Sequence, residues 1–312
     1  MTDQFAPDLQ RPGQREEVLL SVNPNAGARS AKTRVARLVE SLERWGLCVQ
    51  VMTDLAAVAA EAQRRHAAGS LRALVAAGGD GTVAELVNRC PPVVPLSVFP
   101  LGTENLLAKY LRIGPEAEAA AEVIATGVTL RIDAGRADGR LFLLMASCGL
   151  DADVIHRLHA QRRGHIRHLS YLKPIVHSAR SYQYPPLRVY CDEQPSQSVR
   201  WVHVVNLPCY ALGLRFAPDA DGTDGQLDVC SFRRGGAFAM MRYYGAVLAG
   251  NHRKLADCEM GRARRVRIES DEAVPYQLDG DPGGTLPVDI EIIPQRVTLI
   301  APQPPTDVSH AQ

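Results

Sequence analysis

The chain lacks any long uninterrupted hydrophobic run. No stretch approaches the ~18 consecutive apolar residues that span a membrane as a helix, and the N-terminus carries acidic and proline residues before its first apolar segment. A signal peptide would begin with basic residues followed by an apolar core. We therefore expect a cytoplasmic protein whose contact with any membrane is peripheral.

Charge of one sign and paired cysteines are also lacking. The 35 Lys and Arg residues nearly balance the 34 Asp and Glu residues, whereas nucleic-acid-binding domains usually carry a basic excess. Nucleic acid is therefore not an expected partner. The seven cysteines are scattered without a Cys-x-x-Cys pair, which fits reduced thiols better than disulfides or a zinc site.

The sequence is long enough for more than one domain, and its predicted secondary-structure pattern changes along the chain. Its 312 residues, 46% of them hydrophobic, are enough for two domain cores. Strands at Val18–Val22, Leu47–Met52, Leu71–Ala76 and Leu96–Phe99 alternate with helical segments up to Thr126. This alternation predicts a doubly wound parallel α/β sheet, which binds ligands beyond the C-terminal ends of its strands.

Beyond Val128 the pattern changes to β-like segments with helical insertions at Val154 to about Arg180 and Phe238–Asn251. We expect a β-sandwich-like second domain. The predicted strands are Val128–Ala134, Leu141–Ser147, Leu187–Tyr190, Trp201–Asn206, Leu227–Phe232, Arg265–Glu269, Val288–Ile293 and Val297–Ala301. The predicted domains are a leader at 1–15, an α/β domain at 16–131 with 295–302 packed back on it, a β domain at 132–294 and a tail at 303–312.

The most informative stretch is the glycine-rich loop that follows the third strand. Gly78, Gly79 and Gly81 lack a Cβ and can adopt positive φ, so their N–H groups could close on a phosphate at a helix predicted to begin near Thr82. Asp80 would repel a bare phosphate. The loop therefore favours a nucleotide whose phosphates carry Mg²⁺.

Six motifs in register resemble the catalytic region of the diacylglycerol kinase family, which includes bacterial lipid kinases, sphingosine kinases and ceramide kinases. They are Asn-Pro-x-x-Gly (23–27), Gly-Gly-Asp-Gly-Thr (78–82), Pro-Leu-Gly-Thr-x-Asn (100–105), Gly-Leu-Asp-Ala-Asp-Val (149–154), Asp-Gly-x-Leu-Asp-Val (224–229) and Asp-Gly-Asp (279–281). The resemblance spans roughly Val18 to Leu299. It implies an NAD-kinase/diacylglycerol-kinase-like pair of domains with phosphoryl transfer from ATP in the cleft between them.

The resemblance also implies site residues. The nucleotide would be bound by Asn23, Gly78, Gly79, Asp80, Gly81, Thr82, Glu85, Thr103 and Asn105. For Asn23 and Asn105, ordinary turn and cap chemistry is an equal alternative. The third motif departs from bacterial relatives, which usually have Asp where this chain has Leu106, and the departure predicts looser or rearranged Mg²⁺ binding.

Asp279 matches the family's general base, with Asp281 beside it where many members have Glu. A positioned carboxylate that accepts the proton of a lipid hydroxyl typically contributes ~10²–10⁴-fold to the rate. Asp80 competes for this role, because some relatives are assigned the glycine-loop carboxylate as the base. A plain Asp-Gly hairpin turn is the structural alternative for Asp279.

Metal-ligand candidates lie in both domains. The resemblance gives Asp80 and Asp133 roles around a catalytic Mg²⁺, and it suggests a structural Mg²⁺ held by Asp224 with carbonyl groups of Asp221 and Gln226. A metal-free turn is the alternative for the last three residues. A calcium loop is excluded there because its sixth position is Asp224 rather than glycine.

The sequence thus predicts a Mg²⁺- and ATP-dependent kinase that phosphorylates a hydroxyl of diacylglycerol or a related lipid. An NAD kinase and a nucleotide-binding module without catalysis are the alternatives. The basic run Arg157–Arg167 favours electrostatic contact with anionic lipid, and a solvated basic face is the alternative. A homodimer is left open.

Overall fold

The computed structural model describes residues 15–23, 29–160, 177–178, 180–192, 194 and 197–303. Two compact units are present, one formed by the chain through Ile132 together with the chain from Val297, and the other by Asp133–Arg296. The helices are α1 (Arg29–Arg44), α2 (Leu55–Ala67), α3 (Asp80–Arg89), α4 (Leu106–Tyr110), α5 (Ala117–Thr126), α6 (Leu150–Ala160) and α7 (Ala237–Leu248).

Sixteen strands are found in the described residues. They are β1 (Glu17–Val22), β2 (Cys48–Met52), β3 (Leu71–Gly78), β4 (Pro95–Pro100), β5 (Val128–Ala137), β6 (Arg140–Phe142), β7 (Met145–Cys148), β8 (Leu187–Cys191), β9 (Gln197–Val199), β10 (Trp201–Val205), β11 (Leu227–Phe232), β12 (Cys258–Ala263), β13 (Arg265–Glu269), β14 (Pro275–Leu278), β15 (Asp281–Thr285) and β16 (Val288–Ala301).

The first unit is built on a parallel sheet. Its strand order is β2-β1-β3-β4, followed by the C-terminal part of β16, and each neighbouring pair is parallel. All eight residues of β3 are buried, as expected for a central strand covered by helices on both faces. The helices between the strands supply that cover.

Strand register brings three loops to one edge of this sheet. Val22 at the end of β1 pairs with Ala77, and Gly78 at the end of β3 pairs with Pro100 at the end of β4. The segments that leave β1, β3 and β4 therefore begin at the same level. Residues 24–28 of the first loop lie outside the described residues.

The second unit contains two sheets around a shared core. One is an antiparallel six-stranded sheet in the order β12-β11-β10-β7-β14-β15, and the other includes β13, β8, β9 and the N-terminal part of β16. Buried side chains of both sheets form one cluster, for example Val189 and Ile268 with Val204 and Leu278. The predicted fold class, a parallel α/β domain and a β-sandwich-like domain, is confirmed.

A second apolar cluster lies on the other face of the six-stranded sheet. It is centred on Trp201, which is 1% exposed, and includes Phe232 and Tyr243. Tyr243 comes from α7, whose buried side is completed by Ala239 and Val247. The helix therefore covers part of this sheet with one of its faces.

The structure corrects the single strand predicted for Leu141–Ser147. It is divided into β6 and β7, because the backbone N–H groups of Leu143 and Leu144 donate to the carboxylate of Asp279. A backbone group that binds a side chain is lost to the strand ladder. A local pattern of hydrophobic residues does not contain this long-range contact.

Other differences concern element ends and short strands. The two strands predicted at the C-terminus form the single β16. Strands β9, β12, β14 and β15 were not predicted; β15 has the sequence Asp-Pro-Gly-Gly-Thr, which local propensity disfavours in a sheet. The spacing of Val35, Leu38, Leu42 and Trp45 predicts one apolar side of the first helix, but Trp45 lies after α1 and is 50% exposed.

Candidate functional site

The glycine loop after β3 differs in backbone conformation from the prediction. Helix α3 begins at Asp80 rather than near Thr82, and none of Gly78, Gly79 and Gly81 has positive φ. The positive-φ expectation is therefore wrong. The absence of a Cβ is what the fold requires at Gly78, where a Cβ would lie 2.2 Å from the Thr82 hydroxyl oxygen.

Two glycines hold the loops after β3 and β4 in backbone contact. A Cβ on Gly102 would lie 2.5 Å from the Cα of Gly79 and 2.8 Å from Oδ1 of Asn105. The Asn105 side chain also brackets Gly102, since its Oδ1 accepts from the Gly102 N–H and its Nδ2 donates to the Gly102 carbonyl, both at 2.9 Å. Asn105 itself adopts the left-handed conformation with φ 49°. The turn chemistry considered for Asn105 is therefore present.

Gly81 is different from these two glycines. It lies in the first turn of α3, and no atom of the described residues comes within 4 Å of the position of its missing Cβ. The first N–H groups of a helix have no partner within the helix, and their dipole favours an anion. The open space at Gly81 therefore leaves the start of α3 accessible to a phosphate.

Asp80 joins the two loops electrostatically. Its Oδ1 accepts from the Leu107 N–H at 3.3 Å, near the N-terminus of α4. Burial raises the pKa of this carboxyl above its ordinary value, with a smaller opposing effect from the backbone N–H groups of Leu107 and Leu106. A desolvated carboxylate of this kind is stabilised by a bound cation.

The other predicted nucleotide residues occupy varied positions. Asn23 is exposed directly after β1, and Thr103 is exposed in the loop after β4. Thr82 is buried. Glu85 is exposed on α3 and forms an ion pair with Arg89 at 2.7 Å, so its carboxylate is engaged along the helix. The nucleotide roles of these residues stay predictions.

In the second unit Asp279 lies in a hairpin turn. Asp279 and Gly280 form the two-residue connection between β14 and β15, in which Leu278 pairs with Asp281. Both turn residues have positive φ, 52° and 87°, as a type I′ turn requires. The predicted alternative, an Asp-Gly hairpin turn, is therefore present at Asp279. The conformation of this turn determines where the Asp279 carboxylate lies.

Three backbone donors surround the Asp279 carboxylate. Oδ2 accepts from the Leu143 N–H at 2.7 Å, and Oδ1 accepts from the N–H groups of Leu144 and Met145 at 2.9 Å each. The Asp279 N–H donates to the Met145 carbonyl. We call this arrangement the Asp279 cradle. Such donors stabilise a negative charge and fix the direction of the side chain.

Asp281 follows the turn and is flanked by two basic side chains. Arg140 lies 3.3 Å from its Oδ2, and His159 Nε2 lies 3.5 Å from its Oδ1. Arg140 also donates to the Pro282 carbonyl, and His159 donates to the Gly280 carbonyl at 3.2 Å. These contacts hold the hairpin turn from its outer side.

A buried polar network supports the same turn from behind. The Gly280 N–H donates to Gln277 Oε1 at 2.7 Å, and Gln277 Nε2 donates to the Ser147 hydroxyl at 2.8 Å. Ser147 donates to Asp151 at 2.6 Å, and the Tyr210 hydroxyl also contacts Asp151. Burial raises the pKa of Asp151. The sequence analysis did not identify Gln277 or Ser147 as parts of the site. The only sequence signal for this network is Asp151, which belongs to the motif at 149–154.

Asp133 has a buried structural environment. Its Oδ2 accepts from the Gly225 N–H and its Oδ1 accepts from the Gln295 N–H, both at 2.7 Å. Its own N–H donates to the Gly222 carbonyl. Asp133 therefore ties the 222–225 turn to the strand near Gln295. Its predicted place around Mg²⁺ is not tested by these contacts.

The 221–226 segment matches the metal-free alternative. Asp221 accepts from the Thr223 N–H at 3.0 Å, and Asp224 accepts from the Gln226 N–H at 2.9 Å, as in Asx turns. Asp224 also forms an ion pair with Arg262, which supplies the positive charge that a metal would supply. A structural Mg²⁺ held by Asp224 with the carbonyl groups of Asp221 and Gln226 stays a prediction.

A catalytic Mg²⁺ makes different demands. In the part of the chain that the structure describes, no group of three or more His, Cys, Asp or Glu side chains could hold a metal ion. Mg²⁺ in nucleotide sites commonly uses only one or two carboxylates and takes its remaining ligands from phosphates and water. Asp80, a desolvated carboxylate beside the exposed start of α3, fits that smaller requirement.

The described residues bear on two predictions about membranes. Within the described residues, no helix has both the length and the apolar character needed to cross a bilayer. The basic run Arg157–Arg167 lies mostly outside those residues. Arg157, which is described, forms an ion pair with Asp153 at 2.6 Å.

Family comparisons agree with the two units. Residues 17–137 match the model described as the diacylglycerol kinase catalytic domain. Residues 144–301 match the YegS C-terminal NAD kinase beta sandwich-like domain.

Similar individual proteins cover most of the chain. A diacylglycerol kinase of Bacillus subtilis is 26% identical over 287 residues, which are 90% of this chain and 95% of the relative. A diacylglycerol kinase of Mycobacterium tuberculosis is 27% identical over 240 residues, covering 74% and 77%. A crystal structure of a putative diacylglycerol kinase from Bacillus anthracis has a TM-score of 0.73 at 22% identity, covering 93% of this chain and 98% of that one.

Proposed function

Because the chain belongs to the diacylglycerol kinase family of lipid kinases, we propose that it transfers the γ-phosphate of ATP to a hydroxyl of diacylglycerol or a related lipid. The family supports the reaction class. The relatives named diacylglycerol kinase support the choice of acceptor.

The observation that carries the proposal is the pair of loops after β3 and β4. Gly79 and Gly102 bring their backbones together, and the start of α3 at Asp80 and Gly81 is open beside them. Oriented N–H groups at a helix N-terminus bind phosphate. Asn23, Thr82, Thr103 and Asn105 are the proposed nucleotide contacts around them, with Glu85 further along α3.

Asp80 is the residue proposed to hold Mg²⁺. When bound, Mg²⁺ would neutralise phosphate charge and orient the γ-phosphate. Without a cation, Asp80 is an unfavourable neighbour for a nucleotide, since its carboxylate is desolvated and of the same charge. Asp80 therefore makes nucleotide affinity depend on the divalent ion.

Asp279 is the proposed acceptor of the lipid hydroxyl proton. The Asp279 cradle directs one backbone N–H group to Oδ2 and two to Oδ1. It holds the carboxylate in one orientation, which is what proton transfer in a transition state requires. The cradle also favours the charged form, so its contribution is positioning more than basicity, and Asp281 with Arg140 and His159 keeps the turn in place.

Asp80 is the rival for the proton-accepting role. Burial raises the pKa of its carboxyl above the ordinary value, so Asp80 accepts a proton more readily than an exposed aspartate would. The two assignments differ in what a Mg²⁺ titration would show. A base is required at every Mg²⁺ concentration, whereas a metal ligand is rescued in part by more metal.

The direct test is transfer of radiolabel from γ-labelled ATP to a lipid panel containing diacylglycerol, sphingosine and ceramide, with NAD as a separate acceptor. We expect Mg²⁺-dependent labelling of a lipid hydroxyl. Gly81→Val should abolish nucleotide binding, because the side chain fills the open space at the start of α3. Labelling of NAD alone, or an unchanged ATP-induced melting shift in Gly81→Val, would contradict the proposal.

A further inference from the structure

Helix α7 exposes large apolar side chains along one face. Phe238, Met241 and Leu248 are 78%, 62% and 65% exposed, and their spacing of three and seven residues places them on one side of a helix. We call these three residues the α7 stripe. The other large exposed apolar residues in the described part of the chain are Trp45, Val51, Val93 and Met260.

The helix does not need this stripe for its own packing. Ala239, Tyr243 and Val247 form its buried face, and the Tyr243 hydroxyl is anchored by Asp257 at 2.8 Å. A helix on the surface of a water-soluble domain normally presents polar residues outward. Here Arg242 is the only charged residue in the whole element.

The charges around the helix have one predominant sign. Residues 233–254 contain five basic side chains and no acidic one; they are Arg233, Arg234, Arg242, Arg253 and Lys254. The basic residues lie at both ends of the helix as well as within it. A solvent-facing apolar stripe bordered by basic residues is typical of a helix that lies in a membrane interface.

Acidic neighbours do not cancel this charge. Arg234 and Arg242 both pair with the single carboxylate of Asp257. Arg233 pairs with Glu259, and Arg253 pairs with Asp219 at 2.5 Å. Four of the five basic side chains thus share three acidic partners, and no ion pair of Lys254 is found in the described residues, so the surface keeps an excess of positive charge.

From the stripe and the charge together we propose that α7 docks on an anionic lipid bilayer, with Phe238, Met241 and Leu248 inserted at the level of the head groups. The excess positive charge complements anionic head groups, and the apolar side chains gain by leaving water. A second copy of this chain would bring the same positive charge against itself. The bilayer is therefore the better match.

The test uses the full chain and large vesicles without nucleotide. Wild-type protein should co-sediment with vesicles of phosphatidylcholine containing 30% phosphatidylglycerol and bind pure phosphatidylcholine far less. The triple variant F238S/M241S/L248S should lower the partition at least tenfold, because each lost apolar side chain removes a favourable transfer. The matched control W45S/V51S/V93S removes three exposed apolar residues of the first unit and should bind as wild type does.

A second variant tests the proposal without requiring that the triple serine variant folds. Phe238→Trp places a fluorophore in the stripe, and its emission should shift to the blue and be quenched by brominated lipid in anionic vesicles. Trp45 and Trp201 of the wild-type chain provide the background signal. Lys254→Glu should weaken vesicle binding, and salt should weaken it further through screening.

Several results would overturn the proposal. They are equal binding of wild type to neutral and anionic vesicles, no loss in the stripe variant, and an emission of Phe238→Trp that vesicles leave unchanged. A wild-type dimer that the stripe variant converts to a monomer without lipid would assign the stripe to self-association instead.

Vesicle docking does not rest on the proposed kinase reaction. The stripe variant should lose phosphorylation of lipid in vesicles through a higher apparent KM and keep normal kcat on a short-chain acceptor dissolved in water. If no lipid is phosphorylated in either form while wild type still binds anionic vesicles, the kinase proposal fails and the docking proposal stands.

Discussion

Two Asp-Gly pairs of this chain adopt different structures and expose their carboxylates differently. Asp80-Gly81 begins helix α3 beside an open space. Asp279-Gly280 forms a two-residue hairpin turn with positive φ at both residues. In the first pair the backbone is left accessible, and in the second three backbone N–H groups are consumed by the side chain.

The difference shows how one dipeptide can serve two electrostatic purposes. At Asp80 the protein leaves a carboxylate poorly compensated, which favours a cation. At Asp279 three backbone N–H groups stabilise the charge and fix the position of the side chain. The environment of the carboxylate, rather than the dipeptide, therefore sets its chemistry.

The largest expected effect distinguishes the two carboxylates by turnover. Asp279→Asn should lower kcat ~10²–10⁴-fold with little change in ATP affinity, since a proton acceptor is lost from the transition state. Asp80→Asn should also raise the Mg²⁺ requirement and KM for ATP. Steady-state kinetics for both variants across a Mg²⁺ titration measures this. Near-normal turnover of Asp279→Asn with Asp80→Asn inactive at every Mg²⁺ concentration would reverse the roles.

A structural control is needed for Asp279→Asn. The asparagine oxygen can keep two donors of the cradle, but its NH₂ group then faces the Leu143 N–H, which costs roughly 1–3 kcal/mol. Asp138-Gly139 is a matched hairpin turn, with φ of 47° and 81°, and its carboxylate accepts from the Tyr276 hydroxyl. Because Asp138 has no part in the proposed reaction, Asp138→Asn should keep full turnover.

The next effect concerns the loop backbones of the first unit. Gly102→Ala should weaken ATP binding ~10–100-fold, because its Cβ would overlap the Gly79 backbone and displace the loop. Gly81→Ala adds the same methyl group where no atom of the described residues lies within 4 Å and should bind ATP more tightly than Gly102→Ala. Calorimetric titration of Mg–ATP compares them. Equal affinities would show that the close approach of the loops does not matter for the nucleotide.

A lower pH should change the folding stability of the two units differently. Burial, with His252 nearby, lowers the pKa of His203 from 6.5 to about 3, and its ring stacks on Phe216 at 3.7 Å. Between these pH values the unfolded chain binds a proton that the folded second unit does not, so stability is lost as pH falls, by up to ~1.4 kcal/mol per unit. Asp80 in the first unit has a raised pKa, and for that group acidification favours the folded state.

This pH dependence can be measured by urea unfolding between pH 7 and pH 5. Trp201 reports on the second unit when Trp45 is replaced by Phe. His203→Phe should flatten the loss of stability, since it keeps a ring in the stack and removes the titrating nitrogen atoms. An unchanged pH slope in His203→Phe would assign the acid sensitivity to other groups.

The smallest expected effect has opposite signs in the two regions. Asp80→Asn should raise the melting temperature of the nucleotide-free protein slightly, by the equivalent of ~1 kcal/mol, because a neutral amide avoids the desolvation of a buried charge. Asp279→Asn should lower it. Differential scanning calorimetry without Mg²⁺ or ATP makes the comparison. A lower melting temperature for Asp80→Asn would show that its bond to Leu107 outweighs its desolvation.

Local patterns predicted much of the first unit. Alternating strands and helices are encoded by short-range hydrophobic periodicity and turn residues. The sequence predicts Thr53 or Asp54 as the cap of the second helix, and Asp54 is the cap, since its Oδ1 accepts from the Ala57 N–H at 2.8 Å. Because parallel strands expose their C-terminal ends at one edge, the loop positions follow from the strand order. The conformation of Gly78 and Gly79 did not follow, since it depends on Thr82 and on a second loop.

The second unit was less predictable from local patterns. Strand β15 contains proline and glycine, and β6 is separated from β7 by residues whose N–H groups bind Asp279. Strand β15 exists through its pairing with β14, and the division of β6 from β7 depends on Leu143 and Asp279, which are more than 130 positions apart. Local propensity carries no information about such pairs.

The sequence by itself determined the fold class, the family and the identity of the candidate carboxylates, because motif spacing and periodicity are local properties of the chain. Tertiary structure alone decided what each carboxylate meets: desolvation at Asp80, three backbone donors at Asp279 and the guanidinium of Arg262 at Asp224. It also decided that Phe238, Met241 and Leu248 face solvent. Solvation and hydrogen bonding depend on distances in space, and these are set only when remote segments pack together.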